Sequence, residues 1–117
     1  MEELNYGGFV ATKNVRDGKP IGFAFREESP FVSLNGWYLY SGEDDDEFVK
    51  DPENFVILDA SQIKALAPAM LDIYDAGCGT EVSLMYEEGV HTGFYDLKNE
   101  CVTTVDEILR RRYERDG

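Results

Sequence analysis

Residues 36–48 read Gly-Trp-Tyr-Leu-Tyr-Ser-Gly-Glu-Asp-Asp-Asp-Glu-Phe, and no other stretch limits the fold as much. An aromatic segment holding the only tryptophan, Trp37, stops at Ser41-Gly42 and meets five consecutive carboxylates, Glu43, Asp44, Asp45, Asp46 and Glu47. Five like charges in a row resist close packing and require solvent, counterions or a basic partner. The aromatic segment is therefore expected to be a strand that ends at the surface, with the carboxylates on the loop beyond it.

The rest of the composition suits one globular unit. At 117 residues the chain is long enough for a single core and is read as one domain, 1–117. An apolar fraction of 43% with seven Phe and seven Tyr excludes intrinsic disorder. Eleven basic against 24 acidic residues give a net charge of −13, which argues against nucleic-acid phosphates or anionic membranes as partners, since both are held by Lys/Arg clusters. The charge is uneven: Arg110, Arg111, Arg112 and Arg115 crowd the last eight residues, behind a body of 7 basic and 22 acidic groups. Cys78 and Cys101 match no zinc or redox spacing, and Glu2 and Glu3 stand where a signal peptide would carry positive charge. A cytoplasmic location with reduced thiols is expected.

Periodicity predicts an α+β fold: a mostly antiparallel sheet of about five to six strands, a kinked mid-chain helix or two short ones, and a C-terminal helix. Gly8–Val15 reads as a strand before the turn signal Asp17-Gly18. Pro20–Arg26 alternates, with Ile21, Phe23 and Phe25 on one face and small Gly22 and Ala24 on the other, where close packing is expected. Gly36–Tyr40 separates Trp37 and Leu39 from Tyr38 and Tyr40, and Phe55–Leu58 is apolar on both faces, as in a central strand. Glu81–Tyr86 and Gly93–Leu97 flank a hairpin signal, Glu88-Gly89, with His91 in the turn. Asp59 and Gln62 have capping-box spacing before the stripe Ile63, Leu66, Ala67, Met70, Leu71 and Tyr74. Pro68 must kink that helix or open a second one, and Gly77 or Gly79 stops it. Thr104 and Glu107 form another capping box, with Asp106/Arg110 and Glu107/Arg111 as outward pairs.

Several chemistries fail on spacing. Set on the calcium-loop template from Asp44, the acidic run offers Val49 for the required glycine and Phe55 for the required glutamate, so no metal site is assigned. A Cys–His nucleophile would need Cys78 or Cys101 beside His91 and a third group to orient it. No carboxylate pair stands out, and the glycine clusters lack the lysine of a phosphate loop. No catalytic residue and no cofactor is assigned. Arg26 at a strand end, in so acidic a chain, is expected to tie down a loop through a carboxylate or carbonyls.

One resemblance adds to this. Pro20-Ile21-Gly22-Phe23 with Arg26-Glu27, then Gly36-Trp37, Ser41-Gly42-Glu43-Asp44-Asp45, Asp51-Pro52-Glu53-Asn54 and Leu58-Asp59, is similar to the immunity-protein-33 family. The likeness runs over about 13–75 and is densest from Gly36 to Asn54. Phe31-Val32-Ser33-Leu34 departs from it in being apolar, and nothing after Gly77 is matched. It implies a small immunity protein from a bacterial polymorphic-toxin locus, binding a toxin rather than catalysing a reaction. A basic, nuclease-like toxin domain would complement the acidic loop. The expected contact residues are Glu43, Asp44, Asp45, Asp46, Glu47, Trp37, Tyr38 and Tyr40, with Arg26, Gly36 and Asn54 serving structure. The alternatives are a self-associating domain, such as a homodimer joined through Phe31–Leu34 or the arginine-rich tail, and a small-ligand enzyme using Cys78, His91 or a carboxylate pair.

Overall fold

A computed structural model describes residues 7–28 and 34–109. Strands β1 (Gly8–Thr12), β2 (Ile21–Arg26), β3 (Leu34–Ser41), β4 (Phe55–Leu58), β5 (Glu81–Glu87), β6 (Val90–Asp96) and β7 (Cys101–Thr103) form one sheet in the order β4-β1-β3-β2-β5-β6-β7. The β1–β3 pair is parallel and every other pair antiparallel. Four short helices interrupt the strands: α1 (Lys13–Arg16), α2 (Asp46–Lys50), α3 (Ala60–Leu66) and α4 (Ala69–Asp72). A 3-10 turn (Pro52–Asn54) follows α2, and residues 105–109 begin a last helix. The core lies on one face of the sheet, where Phe9, Ala11, Trp37, Leu39, Ala24 and Val82 meet Ile63, Met70, Ile73 and Ile108.

Local chemistry explains the helices. Asp59 accepts from the Gln62 amide at 2.9 Å while the Gln62 side chain accepts from the Asp59 amide at 2.9 Å, a complete capping box. Pro68 stands at the N-cap of α4, so the proline separates two short helices, and α4 ends at Asp72, before either expected glycine. At the second box Thr104 Oγ1 accepts from the Glu107 amide, whereas Glu107 takes its bond from the Thr103 hydroxyl at 3.1 Å. Arg110 and Arg111, the outer partners expected there, lie outside the described residues, as does the rest of the tail.

Five sequence readings require correction. The strand expected over Gly8–Val15 stops at Thr12 and becomes the single turn α1, which drives Val15 into the core. A bulge between Ile21 and Phe23 parts residues expected to share a face: Ile21 and Ala24 are buried, and Phe23 and Phe25 emerge opposite. Strand β4 is an edge rather than a central strand, with Leu58 buried and Ile57 62% exposed. The seventh strand, β7, was not expected; at three residues it is too short to show a period. His91 also sits within β6 rather than in the turn, which is the two-residue loop Glu88-Gly89 with both φ values positive. Of Phe31–Leu34, Leu34 opens β3 and the other three residues lie outside the described set.

Two contacts fix the β2–β3 hairpin. Gly36 has φ +90°, and a Cβ there would meet the Glu27 carbonyl oxygen at 2.0 Å. Gly22 is similarly closed by the backbone of Gly42, 2.8 Å from where its Cβ would stand. Arg26, next to the hairpin connection, donates to the carbonyls of Asn35, Tyr74 and Ala76 at 3.0, 2.6 and 2.9 Å. Gly89→Ala, at φ +82° with open space around it, is expected to cost about 1 kcal/mol of backbone strain. Gly36→Ala should cost a further ~1–3 kcal/mol in urea unfolding because of the clash. Arg26→Lys should lose about 1–3 kcal/mol in the same assay, since one ammonium cannot span three diverging carbonyls and leaves buried acceptors unmade.

Candidate protein-binding face

The two faces of the sheet differ. On the core side, alternation from Trp37 buries it completely beside Leu39, and its indole Nε1 donates to the Tyr74 carbonyl at 3.1 Å. On the other side the same strand presents Tyr38 and Tyr40, directly opposite Phe25 and Phe23 of β2. Phe25 and Tyr38 stack with centroids 5.0 Å apart at 6°, and Phe23 meets Tyr40 edge-on at 5.8 Å. Phe55 of β4 closes the row against Tyr40 at 5.7 Å. Offset and edge-on pairs of this kind hold their geometry at about 0.5–1.5 kcal/mol each. All five rings are only half-buried.

The acidic run folds around the end of this row, and its five carboxylates have different roles. Asp44 lies within the loop: Oδ1 accepts from the Asn14 side chain and Oδ2 from the Ser41 amide, both at 2.7 Å. Asp45 caps α2, accepting from the Phe48 amide at 2.8 Å. Asp46 and Glu47 occupy the first turn of α2, where the helix dipole favours negative charge, and both are exposed. Glu43 faces water beside Lys19 at 3.4 Å, an exposed pair that contributes little to stability. Asn54 anchors the far end, donating to the Phe48 carbonyl at 2.9 Å. Glu43, Asp46 and Glu47 are thus exposed and outside the loop's internal hydrogen bonds, whereas Asp44 and Asp45 hold the loop.

Between α2 and the sheet lies an open groove of about 350 Å³, lined by Val10, Tyr38, Tyr40, Val49, Lys50, Pro52 and Phe55. The Tyr40 hydroxyl titrates above its ordinary value, first because burial disfavours the phenolate and then because Tyr38, Glu27 and Asp44 oppose a further negative charge. The groove was not legible in the sequence, because its walls come from five elements that the parallel β1–β3 pairing and the α2 loop bring together.

The residues weighed for catalysis have these surroundings. His91 packs edge-on between Tyr86 and Phe94, its Nε2 without a hydrogen-bond partner, and Cys78 and Cys101 are separate, exposed thiols. Among the described residues no group of three or more His, Cys, Asp or Glu side chains could hold a metal ion, and no helix is long and apolar enough to cross a membrane.

A family model for the immunity protein Imm33 domain matches residues 9–94, from the first core strand to Phe94 of β6. This chain belongs to the Imm33 family. The match takes in the whole acidic loop and the aromatic row, and it extends past Gly77, where the sequence likeness had stopped, to include β5 and most of β6. Searches of curated proteins and of solved structures gave no match. Within the Imm33 portion, Trp37 is a fully buried core residue, whereas Tyr38 and Tyr40 of β3 are half-buried on the opposite face.

The division of the carboxylates has a measurable consequence. Asp44→Ala strands the Ser41 amide and the Asn14 side chain and is expected to cost about 1–3 kcal/mol in chemical denaturation. Asp46→Ala should cost under about 1 kcal/mol.

Proposed function

We propose that this Imm33 protein neutralises its toxin by direct contact, occupying a basic toxin domain with the face that carries Glu43, Asp46, Glu47, Tyr38 and Tyr40. One observation carries the reading: exposed carboxylates, Glu43, Asp46 and Glu47 among them, directly follow a strand whose half-buried aromatic rings no core requires. The combination matches the anatomy of a binding surface, in which desolvated aromatic anchors supply affinity and charged rims supply rate and register. A nuclease-like toxin, whose substrate cleft must be basic to hold phosphates, is the complementary class. The exposed unpaired thiols suit a reducing, cytoplasmic setting, and the protein acts by occupancy rather than by catalysis.

Co-expression with the proteins encoded beside it tests this. A complex with a basic domain that weakens as salt rises supports the reading; a clean homodimer with no captured partner overturns it in favour of self-association. In the complex, combined Glu43→Gln, Asp46→Asn and Glu47→Gln should slow association and flatten its dependence on ionic strength, with little change in dissociation and an unchanged fold. Asp44 and Asp45 are left in place because they hold the loop.

A further inference from the structure

We infer that the groove between α2 and the sheet receives an arginine side chain of the partner, an inference that rests on the binding reading above. Three observations converge on a guanidinium. The first is ring geometry. Tyr38 is stacked on Phe25 across β2, and its register neighbour on the other side is Val10 of β1. Val10 and Tyr38 both line the groove, so the Tyr38 ring borders the space that a planar group would enter. Planar cations stack on tyrosine faces, and arginine does so more readily than lysine because its guanidinium is flat and weakly hydrated.

The second is electrostatic. Glu27 and Asp44 act at the Tyr40 hydroxyl, and Glu43, Asp46 and Glu47 stand exposed on the loop and α2. A neutral aromatic side chain would fill the apolar walls but leave that potential unused. Lys50 is the one cation in the lining; it is exposed, so its apolar stem can border the groove while the ammonium remains in water. The third is size: about 350 Å³ lies at the lower end of the range for small-ligand pockets, enough for one long side chain and not for a folded segment. A second copy of this chain is disfavoured as occupant, because two surfaces of a protein with net charge −13 repel.

The test needs no toxin. Acetyl-Gly-Arg-Gly-amide is titrated into the 15N-labelled protein, with the lysine and phenylalanine counterparts as controls. Saturable shifts at the amides of Tyr38, Tyr40, Val49 and Phe55, larger for arginine than for either control, are expected. Tyr38→Leu should weaken the arginine peptide about fivefold while leaving the remaining spectrum in place. Equal response to lysine would reduce the effect to charge alone and overturn the inference. A stronger response to phenylalanine would make the groove an apolar pocket and overturn it too, as would shifts scattered over the surface. A toxin that binds wild type and Tyr38→Leu equally also overturns the arginine anchor while leaving the immunity reading intact. Failure to capture any toxin would sink the immunity reading without touching the peptide result.

Discussion

The guanidinium of Arg26 and the indole of Trp37 both donate to the carbonyl of Tyr74, at 2.6 and 3.1 Å, and the guanidinium lies 5.1 and 5.8 Å from the Tyr74 and Trp37 ring centroids. That carbonyl belongs to the segment after α4, so a single oxygen fastens the helical layer to the paired residues Arg26 and Trp37 of β2 and β3. The same guanidinium reaches back to Asn35 and on to Ala76. Hydrogen bonds to an ionised donor in a partly desolvated site contribute more than neutral ones, and the flat fork of arginine satisfies several acceptors at once. With the core side secured in this way, β3 can present its other face to solvent.

This arrangement explains why Trp37 and Tyr38, adjacent in the chain, have opposite roles. Strand alternation sends one inward and the next outward. Trp37→Ala would therefore be expected to act on folding, at the ~3–5 kcal/mol scale of a deleted core aromatic, and not on a surface contact. The constraint at Gly36 belongs to the same unit: its positive φ lets the chain pass the Glu27 carbonyl, and the Glu27 amide donates to the Gly36 carbonyl at 3.0 Å just before Trp37 enters the core.

Elements set by short-range chemistry were legible in the sequence. The Asp59/Gln62 box, the break at Pro68 and the Glu88-Gly89 turn each involve residues within a few positions, and local sterics suffice to place them. What escaped depends on partners distant in the chain. The parallel β1–β3 pairing, the edge position of β4 and the bulge at Ile21/Phe23 follow from how strands are ordered, and Phe55–Leu58 has the same apolar composition whether it is central or at an edge. The acidic run shows the limit most clearly. Its five residues look equivalent in sequence, yet Asn14 and the Ser41 amide claim Asp44, and the α2 amides claim Asp45.

An open aromatic face on a small protein invites association with itself, and the features that oppose this are the ones that would select a partner. The edge strands β4 and β7 have four and three residues, too short to template long pairing, although Ile57 and Val102 are 62% and 63% exposed on them. The net charge of −13 raises the cost of bringing two copies together face to face. A cationic surface reverses that term: the repulsion that protects the aromatic row from its own kind becomes attraction, and the apolar area is then desolvated only against a partner of opposite charge. Within the acidic run, Asp44 and Asp45 shape the loop, and Glu43, Asp46 and Glu47 supply exposed charge that the loop's own hydrogen bonds do not use.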